Sequence, residues 1–175
     1  YHALAGAEVA RLLEGLMQFT VRPAAMPPPT VAAGPRDAAL RMVRTCYDHL
    51  AGRLGVAVAD HLQEEGAVVF DGDEGGRATD RAAAVLARLG LDAAAALDGG
   101  SRRPVCRPCL DWSERRPHLA GRMGALVCAH CLDSGWLARS AGSRALAITP
   151  RGAVALRDAL GVARWAEVVG PAERG

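Results

Sequence analysis

Between residues 37 and 65 the apolar residues Leu40, Val43, Tyr47, Leu50, Leu54, Val58 and Leu62 recur at steps of three or four. That spacing predicts one long amphipathic helix with a single apolar face. Gly52 and Gly55 interrupt it, and each weakens a helix by ~1 kcal/mol relative to Ala, so a kink or a close helix crossing is expected there. Ala67-Val-Val-Phe70 then predicts a strand, and Asp71-Gly-Asp-Glu-Gly-Gly76 a hairpin turn. Thr79 is an N-cap for a helix over 80–89, which Gly90 stops. Upstream, Val9, Leu12, Leu13, Leu16 and Met17 mark another amphipathic helix over 6–19, whose stripe fits either core packing or a dimer contact. Residues 22–35, with Pro27-Pro-Pro29, can be neither helix nor central strand and predict an extended linker.

The second half repeats this plan. His49-Leu-Ala-Gly-Arg-Leu-Gly55 returns as His118-Leu-Ala-Gly-Arg-Met-Gly124, six of seven positions being identical at an offset of 69. His61 falls on His130, Gly66 on Gly135 and Val68 on Leu137; one residue out of step, Thr79-Asp80-Arg81 meets Thr149-Pro150-Arg151. Two copies indicate a duplicated supersecondary unit rather than a repeat array, which needs three or more. The second copy predicts a helix over 118–134, strands over 136–140 and 144–148, and a helix opening at Thr149 with Pro150 in its favoured first position. A polar, Ala-rich connector over 92–103 and the segment 104–117, which has no counterpart in the first copy, lie between them. The expected class is α+β, mainly α: two pseudo-symmetric helix–β-hairpin–helix units after an isolated helix and a Pro-rich linker.

Composition adds little to this picture. A chain of 175 residues can bury a real core, and Ala-rich composition with 4% aromatics favours helix. All 21 basic residues are Arg, which fits GC-rich coding, and a net charge of +2 announces no nucleic-acid face across the whole chain. No apolar run is long enough to cross a membrane and no signal peptide is visible, so a cytoplasmic setting is expected. Five cysteines, an odd number with CxxC pairs, read as thiols or metal ligands rather than a disulfide frame. The chain opens on Tyr1 without an initiator Met, as a fragment starting in mid-domain would.

The cysteines support several constellations. Cys106-x-x-Cys109 and Cys128-x-x-Cys131 are separated by eighteen residues, which fits a four-cysteine zinc pattern. The repeat opposes it, because Cys128 falls on Ala59 and Cys131 on Leu62, both apolar helix positions where free Cys packs as a small hydrophobe. Cys46 and His49, three apart on the expected helix face, could instead join Cys106 and Cys109 around zinc or another thiophilic metal. Against that, His118 recurs with Arg115 three residues before it, so both histidines also fit hydrogen bonding near a helix crossing. A reversible thiol switch at Cys46, Cys106 or Cys109 is a further reading, with Arg102, Arg103 and Arg107 favouring thiolate.

Other patterns point to structure. The acidic turn at 71–76 resembles a calcium loop, but its twelfth position is Ala82. Asp111-Trp-Ser113 fits a cap on the helix entering the second copy, with Trp112 as a core anchor, and His61 and His130 fit equivalent interface or core positions. Ser113-Glu114 beside His118 lacks any nucleophile elbow, and no Gly-rich phosphate loop follows a strand, so an enzyme is not expected.

The order of elements, ending in Thr-Pro-x-Gly, resembles a winged-helix module. His2-Ala-Leu-Ala-Gly-Ala-Glu-Val-Ala-Arg-Leu-Leu13 resembles the tail of an ArsR/SmtB-type repressor, where the wing runs into the C-terminal dimerisation helix. Thr45-Cys-Tyr-Asp-His-Leu-Ala-Gly52 and Cys109-Leu-Asp-Trp-Ser-Glu-Arg-Arg-Pro-His-Leu-Ala-Gly121 are similar to a C-terminal extension in one branch of that family. The resemblance implies that 1–21 end a truncated winged-helix domain with its dimerisation helix and that 22–35 form the linker. Residues 36–98 would then form one winged unit, and 99–170 a second that carries the CxxC segment. It also implies a homodimeric transcriptional repressor whose DNA-reading winged helix lies upstream of Tyr1, this chain being its effector-sensing part. The repeated units themselves are too short for a full helix-turn-helix. A zinc-binding structural or interaction module is the alternative.

Overall fold

Gly52 decides the architecture of the first copy. Its φ is +81°, and a Cβ there would lie 2.7 Å from the carbonyl oxygen of Arg41, so no helix passes through it. The computed structural model, which describes residues 38–72, 75–97 and 101–170 together with Val9 and Leu12, therefore breaks the expected 37–65 helix. A short helix α1 (Ala38–Met42) is followed by β1 (Arg44–Cys46), β2 (His49–Ala51) and then α2 (Arg53–Glu64). Strands β1 and β2 pair antiparallel across a two-residue turn in which Tyr47 adopts φ +58°. The apolar spacing nonetheless marks core positions: Val43, Leu50, Leu54, Val58 and Leu62 are buried, while Leu40 is partly buried and Tyr47, at the turn, is half exposed. A hairpin followed by a helix thus reproduces the burial of one long helix over this stretch.

The chain continues through β3 (Val68–Asp71), β4 (Gly75–Ala78), α3 (Ala82–Arg88) and the short α4 (Ala94–Leu97), the last within the expected connector. Then β5 (Arg107–Leu110), β6 (Pro117–Ala120), α5 (Gly121–Asp133), β7 (Leu137–Arg139), β8 (Leu146–Ile148), α6 (Pro150–Leu160) and α7 (Val162–Val169) complete it. The expected 118–134 helix is likewise a strand and then a helix, because Gly121 at φ +88° turns the chain as Gly52 does. Segment 104–117 has a counterpart after all: β5 pairs with β6 as β1 pairs with β2. Each copy is hairpin, helix, hairpin, helix, one hairpin more than the sequence pattern indicated.

Thr79 and Thr149 play matching parts. Each hydroxyl donates to a glycine carbonyl, Gly66 O and Gly135 O, and each backbone N–H donates to the next carbonyl, Ala67 O and Trp136 O, just before the facing strand. Thr149 also caps α6 by accepting from Gly152 N at 2.9 Å. In the first copy the N-cap is Arg81 rather than Thr79, whose Oγ1 accepts from Arg81 N.

The two copies are packed crosswise. β2 lies on α5 and β6 on α2, so each strand covers the other copy's helix, and the two strands meet between them. Gly55 and Gly124 each face the other copy's histidine: a Cβ on Gly55 would stand 3.5 Å from His118 Cβ, an ordinary contact, and one on Gly124 3.2 Å from His49 Cβ, a tight one. One core cluster runs through both copies, from Leu54 and Leu62 through Met123 and Cys128 to Leu156 and Val168. Residues 6–8, 10, 11, 13–19 and the linker 22–35 lie outside the described residues; Val9 and Leu12 are helical and exposed. Among the described residues no helix is long and apolar enough to cross a membrane.

Candidate metal centre

The paired hairpins bring four potential ligands together. Cys46 is the cross-strand partner of His49, and Cys109 is the cross-strand partner of His118. Directly opposed residues in an antiparallel pair hold their side chains on one face of the sheet. Because β2 and β6 meet between α2 and α5, the two Cys–His pairs converge. One ligand atom from each of Cys46, His49, Cys109 and His118 lies within 4.8 Å of the other three. Three of the four residues are buried and Cys46 is half-buried, while the two imidazole centroids are 5.1 Å apart.

Each imidazole turns one nitrogen to a carboxylate. His49 Nδ1 lies 3.4 Å from Asp48 Oδ1, and His118 Nδ1 lies 3.3 Å from Asp111 Oδ2. The Nε2 atoms of both, and Nδ1 of His118 despite its approach to Asp111, are buried and have no hydrogen-bond partner. Both carboxylates have arginine partners in turn. Asp48 receives Arg103 at 2.6 and 2.8 Å near the surface. Asp111 receives buried Arg44 at 2.8 Å, together with Gly52 N at 2.6 Å, the first N–H ahead of α2. Arg44 also donates to Leu40 O and Ser113 Oγ, and its guanidinium lies 4.9 Å from the Trp112 ring centroid. Asp111 and Ser113 therefore join the copies instead of capping the helix of their own copy, and Trp112, half-buried, stacks on Arg44.

These contacts set the protonation of the centre. The Cys109 thiol, followed by the two imidazoles, pulls Cys46 far below the usual thiol range against the effect of burial. Burial pushes the His118 imidazole down, but Asp111 and Cys46 prevail and raise it. For Asp111 burial acts upward, yet His118, the Arg44 charge and Gly52 N–H together hold the carboxyl well below its ordinary range.

The other cysteines stand apart from this group. Cys106 is fully buried in the core, and burial pushes its thiol up to about 11 despite the neighbouring Arg107. It does not join Cys46, His49 and Cys109; His118 takes its place. Cys128 and Cys131 pack into the core from α5, as Ala59 and Leu62 do from α2, with thiols raised by burial to about 11 and about 12. None of the five cysteines forms a disulfide. His130 packs edge-on to Trp136 at 4.9 Å, and His61 is half-buried on α2. An open cleft of about 690 Å³ lies elsewhere, lined by Arg41, Arg53, Asp60, Glu114 and Arg116 among others. Its charges pair across it, Arg116 with Asp60 and Arg41 with Glu114.

A curated relative, the uncharacterized HTH-type transcriptional regulator YdfF of Bacillus subtilis (strain 168), is 33% identical over 162 residues, which cover 93% of this chain and 69% of the relative. The chain belongs to the HTH-type transcriptional regulators. No family model matches the regulator, and no solved structure matches it.

His118 is the site residue that spacing alone missed. The 69-residue offset sets Arg115 opposite Cys46, whereas the strand partner of His118 is Cys109. The second hairpin has a loop longer than the two-residue turn of the first, so the histidines stay in register while the cysteines do not. Allowing for an insertion at the turn would have aligned Cys46 with Cys109.

Proposed function

We propose that this regulator is an ArsR-like transcriptional repressor and that the chain is its effector-sensing and dimerising part. The observation that carries the reading is the match to an HTH-type transcriptional regulator over 93% of the chain. DNA is read by a winged helix upstream of Tyr1, and the apolar stripe in the sequence over 6–19 supports a homodimer. The repeated units are winged relics, used for sensing and assembly. The buried cluster of Cys46, His49, Cys109 and His118 is where an effector acts, because it lies at the crossing of the two copies. A ligand there alters how β2 and β6 sit on α5 and α2, and such a packed crossing has discrete arrangements that can bias a distant domain.

The test is operator binding by the full-length regulator on its own promoter DNA, with and without thiophilic metal ions or a thiol oxidant. Release by one of these agents, lost in Cys46→Ser, is the expected result. Unchanged binding under every condition would overturn the sensing role. A closed set of four ligands, three of them buried, also suits a purely structural zinc site. In that case a chelator unfolds the chain while the metal-loaded protein shows no regulated release.

A further inference from the structure

We propose that the four-residue cluster binds one thiophilic divalent cation, Zn2+ or Cd2+, through Cys46 Sγ, Cys109 Sγ, His49 Nε2 and His118 Nε2. This deepens the reading above, rests on the same cluster, and names the ligand of that site. Buried polar atoms in native proteins have partners. Yet the Nε2 atoms of His49 and His118 are buried within the cluster and have none. His49 Nδ1 lies against Asp48 Oδ1 and His118 Nδ1 lies 3.3 Å from Asp111 Oδ2, so that with the ring proton on Nδ1, facing the carboxylate, each Nε2 lone pair is left for a cation. A carboxylate behind each ligating histidine is the usual support of a metal site.

The size and charge of the cluster select the ion. Bond lengths of ~2.0–2.3 Å give a tetrahedron with ligand–ligand edges of roughly 3.3–3.8 Å. The present spread of up to 4.8 Å closes to that with a shift of about an ångström. Two thiolates neutralise a divalent ion, while Asp48 and Asp111 are already neutralised by Arg103 and Arg44. A monovalent ion would leave a net negative charge in a buried site, which is costly. Hard cations that demand oxygen ligands find none here. Since each hairpin gives one cysteine and one histidine, the ion ties the first copy to the second at the strands that cover each other's helices.

The test uses the whole chain, reduced and stripped of metal, titrated with Co2+ and then with Zn2+. The expected result is one Co2+ per chain, with the intense visible bands of tetrahedral cobalt and a thiolate charge-transfer band, displaced by Zn2+. X-ray absorption of the zinc form should give two sulfurs at ~2.3 Å and two nitrogens at ~2.0–2.1 Å. Cys109→Ser should remove one sulfur from that shell, and Asp48→Asn should weaken Zn2+ binding roughly 10–100-fold. Cys128→Ala/Cys131→Leu should leave the spectrum unchanged. A shell of four sulfurs, a weak octahedral cobalt spectrum, or no binding by the folded wild-type chain would overturn the assignment. Wild type is read directly, so a variant that fails to fold does not decide the outcome. A chain that binds the ion as described, in a regulator whose operator binding ignores it, would keep this site and remove the sensing role.

Discussion

Asp111 shows how much one residue can carry. It is fully buried and accepts hydrogen bonds from Arg44, Gly52 N, Ser113 and Glu114 N while facing His118. Removing one partner of a buried ion pair leaves the other charged in low dielectric, which costs about 3–5 kcal/mol. Asp111→Ala is therefore expected to lower stability by that amount in urea unfolding, since Arg44 is only 1% exposed. The pair Arg116–Asp60 is the contrast: its arginine side chain is 56% exposed, and Arg116→Ala should change stability by less than about 1 kcal/mol. Asp111 also sets an acid limit. Its carboxyl is held below the ordinary 3.8, so the unfolded chain takes up the proton first as pH falls. Its stabilisation is fully present above that value and is lost progressively below it. Asp111→Asn should flatten this acid limb of the stability profile, measured by denaturant midpoints across pH.

At the scale of elements, the repeated His-Leu-Ala-Gly-Arg-x-Gly stretch can be read position by position. The histidine faces the cluster, Leu50 and Leu119 enter the core, and the first glycine turns strand into helix. The second glycine lets the helix lie close on the strand of its own copy that precedes it. At Gly55 an added Cβ would fall 2.5 Å from Leu50 O, which is backbone and cannot swing away. Gly55→Ala should therefore lower stability by roughly 1–3 kcal/mol, although alanine favours helices intrinsically. Thermal melts decide this, and an unchanged or raised midpoint would contradict the close approach of α2 to β2. The α5 cysteines make the opposite case. Cys128 and Cys131 pack where Ala59 and Leu62 stand in α2, so Cys128→Ala/Cys131→Leu should cost little. A loss matching that of chelated wild type in melts with and without chelator would restore the four-cysteine zinc pattern.

For the molecule as a whole, one continuous core spans both copies, so they are expected to unfold together. Net charge is +2 and all basic residues are Arg, many already paired with carboxylates. This chain alone should bind DNA weakly and without sequence preference, leaving only a salt-sensitive phosphate contribution. Fluorescence anisotropy against promoter and random duplexes at two salt concentrations checks it. Tight, selective binding at physiological salt would place the reading head within these residues.

The duplication, the positions of Val43, Leu50, Leu54, Val58 and Leu62 in the core, the second hairpin of each copy and the Thr149 cap were all legible in the sequence, because each rests on local spacing or local chemistry. The first hairpin of each copy was not. Its apolar spacing also fits a helix, and only the close approach of Arg41 O to Gly52, with Asp111 from the other copy accepting from Gly52 N, forces the strand-to-helix turn. Three of the four cluster residues could be named from the chain, but with Cys46 and His49 on a helix instead of paired strands and with Cys106 in place of His118. Cross-strand pairing and the packing of β2 against β6 are contacts between residues far apart in sequence. Such contacts leave no fixed spacing to read when a turn is lengthened in one copy, so the ligand set was decided by tertiary structure.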